Sequence, residues 1–177
     1  VTCETIDGEW SDPIHLNSSG FDPSLFHDDD GRKWLVNQLW DHRPGRNRFA
    51  GIVLQEYAAA EQRLIGERRV IFEGTSIGLT EAPHLYKRDG WYYVFAPAGS
   101  VKGGWQGVFR SRSLQGPFEA RNVLDEGDTG INGPHQGAWV DTPGGEHWFL
   151  HFQDTDSYGR RVLLQPLRWQ ADGWPVI

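Results

Sequence analysis

The stretch FDPSLFHDDDGRKWLV, residues 21–36, contains the pattern from which the fold can be predicted. A short apolar strand ends in the three aspartates 28–30 and Gly31, and Asp-Gly between two apolar runs is a strong signal for a hairpin turn. A solvated turn accounts for these three aspartates, and binding of a cation by them is the alternative. The turn does not account for Asp22, which lies at the other end of the strand beside Pro23 and needs an interpretation of its own.

Two later stretches repeat this pattern: EAPHLYKRDGWYYVF at 81–95 and HQGAWVDTPGGEHWFLHF at 135–152. Each has a polar start, then Pro or Gly, a short apolar strand, a Gly-containing turn and an aromatic-rich strand. Pro23, Pro83 and Gly137 mark the same place in the three copies and stand 60 and 54 residues apart. A period of this size indicates a repeat architecture.

The second half of each unit also repeats. AGIVLQEY (50–57) resembles QGVFRSRS (106–113), and GEWSDPIHL (8–16) resembles GPFEARNVL (116–124). A unit therefore holds four short strands in about 55 residues, which is typical of a β-propeller blade. The sequence predicts an all-β fold of about three and a half such blades, fewer than the roughly four to eight that close a propeller.

The composition narrows the class of protein. The 177 residues carry a formal net charge of −7, whereas a nucleic-acid-binding surface is usually basic, so no nucleic-acid partner is expected. No apolar run approaches the roughly 18 residues of a membrane span, so no membrane partner is expected either. Cys3 is the only cysteine, which excludes an internal disulfide and leaves the compartment open between cytoplasmic and secreted.

The first strand of each blade lies nearest the propeller axis, so polar residues at its start should face a central cavity. Asp22, Glu81 and His135 occupy these starts. A nearby negative charge and partial desolvation favour the protonated form of a carboxylic acid, so Glu81 beside Asp22 is expected to carry a donatable proton. The alternative is that these residues are strand caps or hydrogen-bonding groups between blades.

The register of Asp22 is an objection to this interpretation. Asp22 stands one residue before Pro23, whereas Glu81 and His135 stand two residues before their own marks. In a regular strand such an offset turns the side chain to the opposite face. The segments beside proline are expected to be irregular, so the objection does not exclude a shared cavity.

Several motifs resemble glycoside hydrolase family 43: GFDPSLFHDDDGRKWLV, TEAPHLYKRDGWYYVF, RSRSLQGPFE, GPHQGAWVDTPGGEHWFLHFQD and YGRRVLLQPLRWQADGWPVI. They cover nearly the whole chain in the order found in that family. The resemblance implies a five-bladed β-propeller and an inverting hydrolase of the β-xylosidase, α-L-arabinofuranosidase or arabinanase type. The implied substrates are xylo- or arabino-oligosaccharides, from which terminal xylose or arabinose is cleaved.

The resemblance also assigns roles to residues. Glu81 matches the general acid, and Asp22 matches the aspartate that tunes this acid and orients the sugar. His135 is similar to a histidine that helps hold a central metal ion, in many members calcium; no other cofactor is implied. Arg160 matches an arginine that reaches the sugar, although the choice between Arg160 and Arg161 is open because the usual motif has an acidic residue at the second position.

Two aromatic residues are predicted to contact substrate. Phe21 and Trp105 lie on or beside loops that could flank the cavity, where an aromatic ring can stack on a sugar. Packing between blades is the alternative for Trp105. The sequence does not separate a xylosidase from an arabinofuranosidase.

The family's general base has no convincing match in this chain. Residues 1–16 are interpreted as the end of one blade, and 21–74, 81–125 and 135–177 as the blades that follow. We therefore expect about one and a half blades, including the one with the base, to lie outside the chain. Since general-base assistance is worth roughly 10²–10⁴-fold, the isolated 177 residues should be nearly inactive.

Two other functions remain open at this stage. One is a non-catalytic carbohydrate-binding propeller, which needs no tuned acid and so leaves the pair of Asp22 and Glu81 unexplained. The other is a fructan-cleaving propeller hydrolase, whose retaining chemistry would be distinguished by the anomeric configuration of the product.

Overall fold

Strands arranged in antiparallel meanders make up most of the protein. The computed structural model describes residues 1–73, 80–128 and 133–177. The first sheet has four strands in chain order: β1 (Gly20–His27), β2 (Lys33–Trp40), β3 (Phe49–Ala58) and β4 (Arg63–Phe72). The Asp-Gly hairpin predicted from the sequence lies between β1 and β2, where Gly31 has the positive φ of 85° that favours glycine.

The second sheet repeats this arrangement, again with four strands in chain order. Its strands are β5 (His84–Arg88), β6 (Trp91–Ala98), β7 (Trp105–Ser111) and β8 (Glu119–Leu124). A single helical turn, α1 (Ser100–Gly103), connects β6 to β7.

The third sheet differs from the predicted four-stranded unit because it has three strands. These are β9 (His135–Asp141), β10 (His147–Asp154) and β11 (Arg160–Pro166), with a 3-10 turn at Asp156–Tyr158 before β11. The remaining short strands, β12 (Arg168–Trp169) and β13 (Pro175–Val176), form a separate hairpin.

Burial explains why the last hairpin is separate from the third sheet. Leu167 and Trp174 are 3% and 4% exposed and pack in the same apolar cluster as Tyr93 and Phe95 of the second sheet. The Tyr93 hydroxyl donates a hydrogen bond of 2.6 Å to the Gly173 carbonyl. The hairpin is therefore held over the core of the second sheet.

The core consists of two layers on either side of the second sheet. Side chains on adjacent positions of a strand point to opposite faces, and β6 is buried on both. Val94 and Ala96 pack against the first sheet, whereas Tyr93 and Phe95 pack towards the third sheet and the last hairpin. The aromatic-rich run read from the sequence thus fills both gaps between blades.

Gly137 shows how closely the third sheet is packed. A Cβ atom at this position would lie 1.9 Å from Cζ of Phe149, a fully buried ring. Any side chain here would displace that ring from the core. This glycine occupies the place that Pro23 and Pro83 occupy in the other two copies.

An ion pair joins the first two sheets at the side opposite to the strand starts. Asp28 is 7% exposed. It accepts hydrogen bonds from Lys87 Nζ at 2.6 Å and from the Tyr92 hydroxyl at 2.8 Å. The interpretation of the three aspartates as a solvated turn holds for Asp29 and Asp30, which are exposed, but it is wrong for Asp28.

Residues 1–16, all of which are described, have a turn at 4–8 and no assigned strand, so their interpretation as the end of a blade stays a prediction. The predicted end of the first unit at residue 74 lies outside the described residues. Within the described ranges, no helix is long and apolar enough to cross a membrane.

Candidate active site

The same backbone kink precedes the register mark in all three repeats. Asp22, Ala82 and Gln136 have φ values of 52°, 44° and 47°, a left-handed conformation that residues other than glycine rarely adopt. Such a residue costs about 1–3 kcal/mol and persists only where the surrounding structure imposes it. Each of the three stands directly before Pro23, Pro83 or Gly137.

The kink removes the register objection to Asp22. The pairing of β1 with β2 shifts between Phe21 and Ser24, and the pairing of β9 with β10 also shifts beside the kink. A left-handed residue interrupts the alternation of a strand, so neighbouring side chains need not point to opposite faces. Asp22 can therefore face the groups that stand two residues before the marks in the other sheets.

Glu81 and His135 are in direct contact. His135 Nε2 and Glu81 Oε1 are joined by a hydrogen bond, and the histidine is fully buried while the Glu81 side chain is 18% exposed. The Glu81 backbone is itself fixed, since its N–H donates to the Pro97 carbonyl at 3.1 Å. Glu81 thus has one oxygen held by an imidazole and retains limited access to solvent.

Two hydrogen-bond donors hold the carboxylate of Asp22 in the same site. Gln136 Nε2 donates to Asp22 Oδ2 at 3.2 Å, and the backbone N–H of Ala82 also donates to this carboxylate. Ala82 follows Glu81, and Gln136 follows His135. The structure therefore brings together Asp22, Glu81 and His135, which come from three different repeats.

Burial raises the pKa of Asp22 above its ordinary value, and the negative charge of Glu81 raises it further. The hydrogen bonds from Gln136 and Ala82, together with the charge interaction with His135, act in the opposite direction but do not cancel these effects. The two carboxyl groups are thus electrostatically coupled. Coupling of this kind is found where a site performs proton transfer.

The donor set around His135 does not amount to a calcium cage. His135 Nδ1 is buried and has no hydrogen-bond partner among the described residues, so it could face a bound group. Calcium prefers six to eight oxygen ligands. The described part of the chain contains no group of three His, Cys, Asp or Glu residues placed to hold a metal. The role of His135 as a metal ligand stays a prediction.

Arg160 lies near the site through an aromatic contact. Its guanidinium carbon is 4.4 Å from the ring centre of Phe152, and that ring is 5.9 Å from the His135 ring. Arg161 points elsewhere, because its Nη2 donates to Gln153 Oε1 at 3.2 Å. This geometry favours Arg160 over Arg161 as the arginine nearer to the cavity, while the contact of Arg160 with a sugar stays a prediction.

Phe21 belongs to an aromatic cluster directly before Asp22. Its ring centre is 5.5 Å from that of Trp40 and 6.2 Å from that of Phe49. Phe21 and Trp40 line a cavity of about 310 Å³ together with His42. The contact of Phe21 with a sugar stays a prediction.

Trp105 is placed differently from Phe21. A Cβ atom on Gly99 would lie 2.5 Å from Cζ3 of Trp105, so the indole packs directly on the backbone before α1. Its Nε1 is buried and has no hydrogen-bond partner in the described part of the protein. This packing favours the structural alternative for Trp105, and its stacking on a sugar stays a prediction.

Sequence reasoning missed two contributors to the site. Gln136 stands directly before Gly137, just as Asp22 stands directly before Pro23. The repeat alignment could therefore have identified Gln136. The backbone N–H of Ala82 could not have been identified, because a main-chain donor leaves no mark in the residue pattern.

The described strand starts thus form a site with two electrostatically coupled carboxyl groups. The sequence matches the profile of the family Glycosyl hydrolases family 43 over residues 1–175. The chain belongs to this family.

Named relatives agree with this assignment. The chain is 45% identical to "Xylosidase/arabinosidase 43B" of Humicola insolens over 98% of its length, and 44% identical to "Beta-xylosidase" of Bacillus subtilis (strain 168) over 100%. These alignments cover 35% and 37% of the relatives. The chain thus spans little more than a third of the length of the curated relatives it matches.

Solved structures confirm the fold. A crystal structure of xylan beta-1,4-xylosidase from Bacillus halodurans C-125 superposes with a TM-score of 0.91 at 44% identity, covering 99% of this chain and 36% of that chain. The exo-1,5-alpha-L-arabinanase from a bovine ruminal metagenomic library, at 20% identity and a TM-score of 0.76, shares the fold alone. The prediction of an all-β, partial five-bladed propeller is confirmed.

Proposed function

We propose that this chain is the part of an inverting glycosidase that carries the general acid, acting on terminal xylose or arabinose of xylo- and arabino-oligosaccharides. The observation that supports this most directly is the convergence of Asp22 and Glu81 from different repeats, each hydrogen-bonded to a residue of β9. The names of the relatives, which include both xylosidase and arabinosidase, support the substrate class.

Glu81 is the proton donor in this proposal. One of its oxygens is engaged by His135, which leaves the other to carry the proton to the glycosidic oxygen. Protonation lets the leaving sugar depart as a neutral alcohol, as the oxocarbenium-like transition state of glycoside hydrolysis requires. Asp22, fixed by Gln136 and Ala82, orients the sugar and sets the charge beside the acid.

The general base is proposed to come from a part of the enzyme outside these 177 residues. An inverting site places base and acid about 6.5–9.5 Å apart, so that a water molecule fits between the base and the sugar. The relatives are almost three times as long as this chain, which leaves ample sequence for a further blade. The isolated chain is therefore expected to show almost no turnover.

The decisive experiment is Glu81→Gln in the complete enzyme. Loss of the acid should reduce kcat/KM on xylobiose by about 10²–10⁴-fold. An aryl xyloside with a good leaving group should lose much less, because that group departs without protonation. Glu67→Gln is the matched control, since the side chain of Glu67 is 78% exposed, and it should leave both rates unchanged.

The same experiment separates an enzyme from a carbohydrate-binding propeller. In an enzyme, Glu81→Gln retains xylobiose affinity by calorimetry while hydrolysis collapses. Unchanged hydrolysis in the variant would show that Glu81 is not the acid. Sugar binding without hydrolysis in the unmodified protein would favour the binding module.

A further inference from the structure

Gln136 is the residue of this site to which the sequence assigned no role. It lies in β9, directly after His135, and its side-chain amide reaches across to the first sheet. There Nε2 donates to Asp22 Oδ2 at 3.2 Å. The two residues are 114 positions apart in the chain, so only the tertiary fold brings them into contact.

The position of Gln136 is equivalent to that of Asp22 in the repeat. Both residues stand immediately before the register mark, and both have a positive φ, 47° and 52°. Glycine or asparagine adopts this conformation more readily than glutamine. The backbone therefore does not require glutamine here, and the reason for this residue type has to be sought in its side chain.

The side chain has the chemistry that the contact needs. A primary amide offers two N–H donors and stays neutral, so it binds a carboxylate without adding a charge that would compete with the acid. It is also long enough to reach the neighbouring sheet. A shorter amide in the same backbone position would end about one methylene length short of Asp22.

Two adjacent residues of β9 thus hold the two carboxyl groups. His135 engages Glu81, and Gln136 engages Asp22. Because both holders belong to one strand, they fix the two carboxyl groups relative to each other as well as to the sheet. Positioning of this kind matters in catalysis, since a misplacement of about 1 Å can cost about 10²-fold in rate.

We propose that Gln136 is a positioning residue that orients the carboxylate of Asp22 through its side-chain N–H. The proposal rests on the proposed function, because the orientation of Asp22 has a catalytic effect only if Asp22 faces a sugar. The effect of Gln136 on the reaction passes entirely through Asp22.

The test is a double-mutant cycle in the complete enzyme, with Gln136→Met and Asp22→Ala. Methionine keeps the length and volume of glutamine and removes the donor. Gln136→Met alone should lower kcat/KM on xylobiose by about 10- to 100-fold, as expected for the loss of a hydrogen bond to a charged group. In the Asp22→Ala background the same change should have no further effect, because the group that it positions is gone.

Additive effects would overturn the proposal, since they would mean that Gln136 acts independently of Asp22. An aryl xyloside with a good leaving group keeps the double variant measurable. Gln115→Met is the matched control on an exposed loop and should be indistinguishable from the unmodified enzyme. The melting temperature and the fraction of active molecules distinguish a variant that is slow from one that is unfolded.

Gln136→Glu provides a second route to the same answer. Glutamate has the size of glutamine, but it lacks the donor and places a negative charge beside Asp22. It should reduce kcat/KM more than Gln136→Met at neutral pH, and equal or smaller losses would contradict the proposal.

If Glu81→Gln leaves hydrolysis intact, the proposed function itself is wrong. If Glu81→Gln abolishes hydrolysis while the cycle is additive, only the positioning role fails.

Discussion

Strand β1 carries a buried or half-buried carboxylate at each end, and the two have opposite properties. At its start, Asp22 has a raised pKa because burial and the charge of Glu81 oppose ionisation. Directly after its last residue, Asp28 also loses hydration, which by itself raises the pKa. Hydrogen bonds from Lys87, Tyr92 and a backbone N–H outweigh this and lower the pKa of Asp28.

The comparison shows that the partners of a carboxylate, and not the strand it belongs to, decide what it contributes. Asp28 faces a cation of the neighbouring sheet, so its charge stabilises the fold. Asp22 is partly desolvated and faces a second carboxyl group, so its ionisation is disfavoured. A site that retains an unfavourable charge is a candidate for function, whereas a compensated one is structural.

The strongest test of this comparison is Asp22→Asn in the complete enzyme. The amide keeps the shape and removes the charge, so kcat/KM on xylobiose should fall by about 10²–10³-fold, a loss similar to that caused by removing one preorganised electrostatic group. The melting temperature should stay the same or rise, because an unfavourable charge is removed. A variant with full activity, or one that is strongly destabilised, would contradict the contrast with Asp28.

The counterpart at the other end is Asp28→Asn. This change leaves Lys87 without its main partner and should lower the free energy of unfolding by about 2 kcal/mol, within the range for hydrogen bonds to charged groups. Activity per folded molecule should not change, because Asp28 lies at the end of β1 remote from Glu81. Urea denaturation measures the first effect and initial rates measure the second. Asp30→Asn is the control, with a side chain that is 45% exposed.

The stability that Asp28 provides should also depend on pH. Its pKa is lowered in the folded protein from an unfolded value of about 3.9. Its contribution is therefore fully present above about pH 4 and is lost as the pH falls through the folded pKa. The difference in unfolding free energy between the unmodified protein and Asp28→Asn should shrink below pH 4. A constant difference down to pH 2 would show that the charge of Asp28 is not responsible.

The smallest effect is expected for Tyr92→Phe. This change removes one of the hydrogen bonds to Asp28 and keeps the ring, which packs at 6.2 Å from the Phe26 ring. The free energy of unfolding should fall by about 1 kcal/mol. In the Asp28→Asn background the same change should cost less, because the hydroxyl then donates to a neutral acceptor. Tyr158→Phe, at a residue that is 95% exposed, is the matched control.

Much of the fold could be predicted from the sequence because its signals are local. The spacing of Pro23, Pro83 and Gly137, the hairpin turn at Gly31 and the aromatic runs all follow from the residue pattern. The separation of the last hairpin from the three-stranded third sheet could not be predicted. It depends on Leu167 and Trp174 packing beside Tyr93, a contact between residues far apart in the chain.

The residues of the candidate site could be predicted from the sequence, but their arrangement in space could not. The pattern places Asp22, Glu81 and His135 at equivalent strand starts, but it contains no sign of the left-handed kink that lets Asp22 face the other two. For the same reason, the sequence predicted a solvated turn at Asp28, because Lys87 approaches it only from another sheet.

By itself, the sequence determined the repeat, the strand and turn chemistry and the types of residue available at the axis, since these depend on neighbours within one unit. The tertiary structure alone decided which carboxylate has a cation beside it and which has a second carboxylate. That choice depends on contacts between residues more than 50 positions apart, such as Glu81 with His135 and Asp28 with Lys87. Electrostatic energies depend on distance in space, and the order of residues along the chain does not specify it.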